Sequence, residues 1–515
     1  MTESNAKRTV LTIPARATTL GYSRLIELAN LDVIPPRSLV YLATQGARRE
    51  YEVDGYRSVV FPSHYDPGPG AFDHLEFALK HEGVQLEVLT AFFKVTDAAA
   101  LTDFVRSRPT GQYARRAWFL YEWLTGDRLE IEDLKAVPYV PLIDPERFFT
   151  ARANRSPRHA IDENLLGNRE FSPMVERTAA LAAMSALHID EEARALITGY
   201  DDETLHRAVS YLYTKETRST WALEREKPNP QRAERFVLAL RHAAKVDRLS
   251  EREFVRLQNV VVGPTYADHA YRTVQNHVGS GYVGRGVVEF VCPRPEDVSS
   301  LMNGLVACVE RMLASEIDPV VAAAVASFGF VFIHPFRDGN GRLHRWLLHY
   351  VLSRQEFTPS GVILPISAVM LARRAEYDAV LEKFSRPLNA LIDYEQNDDG
   401  SLIVRGETAL HYRYFDATAM AEALYRWTIE TVRTELKSEL DFLVRYRATR
   451  REMDELVDMP EREASLFVRL VIDNHGALSK AKRGKFPELD DDLLAKLEEV
   501  VRRNMQLSAE GPRAP

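Results

Sequence analysis

Cysteine is nearly absent: Cys292 and Cys308 are the only two in 515 residues. One disulfide would staple little of a chain this long, so a disulfide scaffold is excluded and the usage fits a reducing cytosol. Long apolar runs are also scarce. The longest, Pro319 to Ile333, falls short of the roughly 20 residues that span a bilayer and reads as a buried helix. Met1 to Pro14 is polar and lacks the apolar stretch of a secretory leader. These gaps predict a soluble, cytoplasmic protein without a membrane partner. Neither sign of charge dominates, since 66 Lys and Arg stand against 74 Asp and Glu for a net −8. That balance argues against wholesale coating of nucleic acid or an anionic membrane and leaves room for a local basic patch. No internal repeat, no metal-ligand Cys/His spacing and no Gly-x-Ser-x-Gly elbow occurs.

Core-forming residues are plentiful: 45% of the chain is hydrophobic and 10% aromatic, which excludes a disordered chain. At roughly 100–200 residues per domain the length suggests about three domains. Residues 1–190 mix strand-like runs (Ser38–Leu42, Arg57–Phe61) with helical stretches such as Ala114–Leu124, an accessory α+β region. Asp202–Tyr213, Gln231–Lys245, Pro295–Ala314 and Asn340–Ser353 carry apolar residues at helical spacing. Tyr271–Val291 is the exception, with strand-like ends around a glycine-rich middle, and predicts a β-hairpin. Within it Gly279-Ser280-Gly281-Tyr282-Val283-Gly284 matches a dinucleotide fingerprint literally but opens no helix, so that reading is set aside. Beyond the Asn397–Gly400 turn the chain is charged and helical. Arg462–Ile472, an Asn474-His475-Gly476 cap, the basic Lys480–Lys485 and Asp491–Arg502 suggest a winged-helix-like end.

The chemistry is concentrated in His334-Pro335-Phe336-Arg337-Asp338-Gly339-Asn340-Gly341-Arg342-Leu343-His344-Arg345, a loop feeding a helix. Gly339 and Gly341 let backbone approach an anion, and a helix N-terminus presents free N–H groups to phosphate. Arg342 and Arg345, three apart, share a helix face as phosphate ligands. Asp338 is a hard oxygen ligand suited to Mg²⁺ beside those phosphates. His334 titrates near neutrality and can act as general base. The segment reads as a Mg²⁺–polyphosphate cradle with a base at its lip.

This pattern resembles the Fic (filamentation induced by cAMP) family, whose motif His-x-Phe-x-(Asp/Glu)-Gly-Asn-Gly-Arg-x-x-Arg is filled at all eight positions by His334, Phe336, Asp338, Gly339, Asn340, Gly341, Arg342 and Arg345. The resemblance covers roughly residues 200–390. It implies a mainly α fold: a helical core with a β-hairpin flap (271–291), within a Fic domain at 191–395 flanked by the α+β region 1–190 and a C-terminal helical domain, 396–515. Tyr271–Gly279 looks like the family's flap, which docks a target by strand addition, and the resemblance brings Val278, Gly279 and Tyr377 to the nucleotide. Thr220-Trp221-Ala222-Leu223-Glu224 is similar to the family's inhibitory helix (about 215–226), although Arg225 follows where the pattern has Gly or Asn. Glu224 would then pair with Arg345 in the place of the ATP γ-phosphate.

The implied activity is transfer of AMP from ATP, with Mg²⁺, to a Ser, Thr or Tyr hydroxyl of a protein target. His334 would be the base, Asp338 would hold the metal, and Asn340 with the backbone amides would stabilise charged oxygens. Self-modification and a homo-oligomer stay open. So do transfer of another nucleotide or phosphate group and removal of AMP. A nucleotide-sensing DNA-binding regulator, acting through the C-terminal end, is the reading from a different class and is not favoured, because one short basic run beside Asp490-Asp491-Asp492 is weak evidence.

Overall fold

A computed structural model describes residues 18–43, 46–53, 56–280 and 286–507. It divides into two compact units, one made of residues 1–188, 217–357 and 370–428, the other of 189–216, 358–369 and 429–515. Among the described residues no helix is long and apolar enough to cross a membrane.

The first unit begins with a four-stranded sheet. Ser38–Leu42 lies in the middle, antiparallel to Thr18–Thr19 and parallel to Tyr56–Phe61, which also pairs antiparallel with Arg49–Val53. Helices Ala71–His81, Leu86–Val95, Ala98–Ser107 and Gln112–Thr125 bury Leu75, Leu89, Leu101 and Trp118 in a common core. The expected α+β character of this region is what the structure has.

The part that positions the site is helical. Pro319–Ile333 is buried around nearly its whole girth, as its unbroken apolar run predicts. It starts at Pro319 because Asp318 caps it, accepting from the Val320 and Val321 N–H groups at 3.0 and 3.2 Å. Helix Asn340–Arg354 packs against it, with His344 Nδ1 2.7 Å from Ser327 O and its ring 5.0 Å from Phe328, while buried Trp346 turns to helix Pro230–Arg241 and donates to Ala239 O at 3.1 Å. Pro295–Ala314, Glu251–Val261 and Arg374–Leu391 complete the surround.

The hairpin is shorter than its sequence pattern predicts. Its strands are His277–Ser280 and Val287–Val291, antiparallel, with a register shift at Val278/Gly279. Tyr271–Val274 is not a strand, because its bonding groups go elsewhere: Arg272 N–H donates to Pro335 O at 2.8 Å instead of to a neighbouring strand. The fingerprint residues 281–284 lie outside the described residues.

The second unit closes with helices Lys437–Leu456, Glu461–Asp473 and Asp491–Met505 around Met453, Phe467, Phe486, Leu497 and Val501. The expected cap is present: His475 and Gly476 have positive φ, and Gly476 N–H returns to Val471 O at 2.8 Å. The winged-helix expectation is corrected in one respect. Among the described residues after Val404 there is no strand from which to build a wing. The basic run Lys480–Lys485 instead winds into a tight 3₁₀ segment, with Arg483 donating to Phe486 O at 2.6 Å.

Candidate active site

The site starts where Pro319–Ile333 stops. His334 closes that helix in the left-handed conformation (φ 53°, ψ 58°) while its N–H still reaches Phe330 O at 3.0 Å. For a residue with a side chain this conformation costs about 1 kcal/mol, so the surroundings must fix it. They do. Phe336 is fully buried with its ring 5.6 Å from Tyr271. Asn340 clamps the loop from inside, accepting the Phe336 N–H at 3.0 Å and donating to Phe336 O at 2.8 Å. Buried Gln258 donates to Asp338 O at 3.3 Å and accepts the Asp268 N–H at 3.0 Å, and Asp268 in turn accepts Arg337 Nε at 2.7 Å. Gly339 turns the chain into the next helix at φ 91°, where a Cβ would also stand 3.0 Å from Val262 Cγ1.

The His334 ring is set chemically as well as sterically. Nδ1 lies 3.1 Å from Val331 O. A carbonyl can only accept, so this nitrogen carries the proton and Nε2 keeps its lone pair. Burial pushes the imidazole pKa down to about 4; the Val331 carbonyl and the Glu224 and Asp338 carboxylates oppose that, while Arg272 adds to it. The ring is therefore a neutral acceptor at pH 7.

Two buried guanidinium groups rise from the motif helix, Arg342 at 2% exposure and Arg345 at 1%. Arg342 donates to Asp338 Oδ1 at 2.8 Å, to Val261 O at 3.0 Å and to Glu226 Oε2 at 3.1 Å, and lies 5.6 Å from the Trp221 ring. Arg345 donates through Nη2 to Glu224 Oε1 at 2.5 Å and to Thr220 O at 3.1 Å. The Glu224 carboxylate also lies over Gly341: a Cβ there would meet Oε1 at 2.2 Å. A carboxylate thus occupies the anion seat at a helix N-terminus, between two arginines. Burial works to raise its pKa, but Arg345 foremost, then Arg342 and His334, outweigh that and hold it below the ordinary carboxylate range.

Glu224 reaches this seat because helix Asp202–Leu223 ends beside it. Glu224 and Glu226 N–H groups both return to Trp221 O at 3.0 Å, and Arg225 between them is left-handed at φ 57°. The chain thus keeps, with an arginine, the backbone shape that Gly or Asn adopts at lower cost. Arg374 Nη1 caps the helix at Leu223 O, 2.5 Å away.

The structure therefore gathers His334, Asp338, Gly339, Asn340, Gly341, Arg342, Arg345, Thr220 and Glu224 in one place. Tyr377 is a core residue, 6% exposed, its ring 6.3 Å from His344 and 5.9 Å from Trp427; burial pushes its phenol up to about 12. Val278 and Gly279 sit on the hairpin, Val278 38% exposed and Gly279 tight against Val287 O. Sequence reasoning missed Gln258, Asp268, Glu226 and the role of Arg272.

The Fic/DOC family model matches residues 248–352, the segment that holds the loop, its braces and the motif helix. Residues 248–352 are a Fic domain. Over 135 residues, 26% of this chain, the sequence is 35% identical to "Protein adenylyltransferase fic-1" of Caenorhabditis elegans, and over 69 residues, 13% of the chain, it is 42% identical to "Protein adenylyltransferase Fic" of Aedes aegypti. The chain spans only 24% and 14% of the length of those relatives. Among solved structures, a Fic family protein from Desulfovibrio desulfuricans is similar at a TM-score of 0.37 and 17% identity, covering 64% of this chain and 85% of that one.

Proposed function

We propose that this protein transfers AMP from ATP to a hydroxyl group of a protein substrate and that Glu224 holds it in a restrained state. One observation carries the reading: the Glu224 carboxylate lies 2.5 Å from Arg345 and over Gly341, at a helix N-terminus where a phosphate would find the same donors. A phosphate oxygen and a carboxylate oxygen compete for the same guanidinium donors.

With Glu224 withdrawn, the triphosphate would lie against the Asn340 and Gly341 N–H groups with Arg342 and Arg345 on its oxygens. The acceptor hydroxyl gives its proton to His334 Nε2, its oxygen bonds to the α-phosphorus, and the bridge from the α- to the β-phosphate breaks to release pyrophosphate. Neutral His334 with a free lone pair suits that step. The Asn340 carboxamide is already spent on Phe336, so its contribution is to hold the loop, while its N–H faces the anion. Tyr377 and the hairpin residues Val278 and Gly279 are the proposed adenine-side contacts.

Among the described residues no cluster of three or more His, Cys, Asp or Glu could hold a metal by itself. Mg²⁺ commonly takes one carboxylate plus substrate phosphates, and Asp338 is the carboxylate within the motif loop that could serve. Asp338, with Oδ1 on Arg342 and the Gly339 N–H, would hold it through its second oxygen. When bound, Mg²⁺ supplies charge neutralisation for the departing pyrophosphate. Two free, buried cysteines accord with work in a reducing cytoplasm.

The test uses ATP labelled at the α- or the γ-phosphate with wild type, His334→Ala and Glu224→Gly in cell lysate with Mg²⁺. Protein labelled only from the α-position, strongest in Glu224→Gly and absent in His334→Ala, is expected. Label from the γ-position would replace the proposal with phosphotransfer, and label from neither would refute it.

A further inference from the structure

We infer that Arg272 is a positioning residue that fixes the base of the hairpin to the catalytic histidine, so that an acceptor hydroxyl held on the hairpin arrives in register with His334. The inference rests on the function proposed above and assigns it a residue outside the motif.

Arg272 is 4% exposed and has no carboxylate partner among its hydrogen bonds; its donors go to backbone carbonyls in three separate segments. Nε donates to His334 O at 2.8 Å, Nη2 to Pro293 O at 2.6 Å where the hairpin leaves, and Nη1 to Val274 O at 3.0 Å where it enters. Its own N–H donates to Pro335 O at 2.8 Å. Burying a guanidinium is costly, and a stability role alone would be met as well by an apolar side chain of similar volume. What this arrangement secures is distance. A planar group with fixed donor directions joins both ends of the hairpin to the carbonyl of the residue that takes the proton. Asn276 adds a parallel link, donating to Phe336 O at 3.2 Å while accepting the His277 N–H at 2.8 Å. None of these bonds reaches Arg342, Arg345 or Gly341; the one shared point is Phe336 O, which accepts from both Asn276 and Asn340.

The consequence is a split. Loosening Arg272 should spare ATP binding and slow transfer, because a misplacement of about 1 Å between reacting groups can cost about 100-fold. The experiment uses the full chain carrying Glu224→Gly, with α-labelled ATP and self-labelling as the readout. Arg272→Lys retains the charge but cannot reach three carbonyl directions at once. Arg272→Gln removes the charge also.

In both variants the maximal labelling rate at saturating ATP is expected to fall by about 30- to 100-fold, with the Kd for ATP, measured by calorimetry, within about twofold of the parent. Unchanged labelling overturns the inference. Loss of ATP binding together with labelling also overturns it, because Arg272 would then only maintain the fold. If the Glu224→Gly parent itself takes no α-label while it binds ATP, the proposed function fails first and this inference falls with it, a result read before any Arg272 variant is made.

Discussion

Two carboxylates, not one, lie on the motif arginines, and their unequal surroundings make a quantitative prediction. Both arginines are buried, Arg345 at 1% and Arg342 at 2%, and the glutamates are 35% and 44% exposed; the pairs differ in geometry, because Glu224 meets Arg345 at 2.5 Å and lies over Gly341, whereas Glu226 meets Arg342 at 3.1 Å. A charge-assisted bond to a buried guanidinium contributes about 2 kcal/mol, so the seat would be open only about 3% of the time and the apparent ATP affinity lowered about 30-fold. The longer bond from Arg342 to the 44% exposed Glu226 contributes about 0.5 kcal/mol, a factor of about two. Glu224→Gln keeps the shape and removes the charge, and should lower the KM for ATP by about 10- to 30-fold. Glu226→Gln alone should lower it by about twofold. Because both carboxylates hang from one turn around Arg225, the double variant should depart from the product of the two effects. Initial rates of α-label transfer across an ATP series measure all four proteins. An unchanged KM in Glu224→Gln would show that the seat is not where the phosphates bind, and the reasoning would be refuted.

Three further outcomes follow from the same geometry. His334→Ala should cut transfer by about 10²- to 10⁴-fold with ATP affinity retained, and in the Glu224→Gly protein the acid limb of kcat/KM should lie well below pH 6.5, towards 4, because the folded-state pKa is depressed; a limb at 6.5 or above would contradict that burial. His344, buried with Nδ1 2.7 Å from Ser327 O, has its pKa pushed down to about 3 by burial. The unfolded chain therefore takes up its proton first, so stability is full above pH 6.5 and lost as pH falls, and His344→Gln should flatten that loss by about 1.4 kcal/mol per pH unit in urea titrations between pH 6 and 4. Arg225→Gly should relieve left-handed strain, raise stability by up to about 1 kcal/mol and reduce basal labelling, as read from the thermal midpoint and the α-label rate; a lower midpoint would count against it.

How much of this was legible beforehand depended on how local the cause was. The apolar run at 319–333 encodes its helix through length and continuity, the stripe Leu343, Trp346, Leu347, Tyr350 through spacing, and both formed as read. Spacing within the motif also put Arg342 and Arg345 on one face. What could not be read was decided by partners distant in sequence. Tyr271–Val274 looks like a strand until Pro335 O claims the Arg272 N–H. Gln258 and Asp268 look like ordinary surface residues until the loop at 334–339 rests on them. Asn340, assigned to the nucleotide from its place in the motif, turns its carboxamide inward to Phe336, and no pattern in its neighbours signals that.

The composition of the first unit bears on how the protein comes to exist during synthesis. Phe332, beside the motif loop, packs against Phe415 at a ring distance of 5.4 Å, and Phe171 meets the same ring at 6.0 Å. Met174 N–H bonds Phe415 O at 3.2 Å and Ala417 N–H returns to Met174 O at 2.9 Å. The ribosome has therefore released the His334–Arg345 segment well before the residues that seal its surroundings emerge. Until Phe415 is translated, one side of each ring waits for it, although Phe171 already lies against Gly304 and Gly329 and Phe332 against Phe290 and Phe384. Late closure of this kind leaves apolar surface exposed during synthesis, and a chain truncated after the motif would carry His334, Arg342 and Arg345 without the segment that seals Phe332.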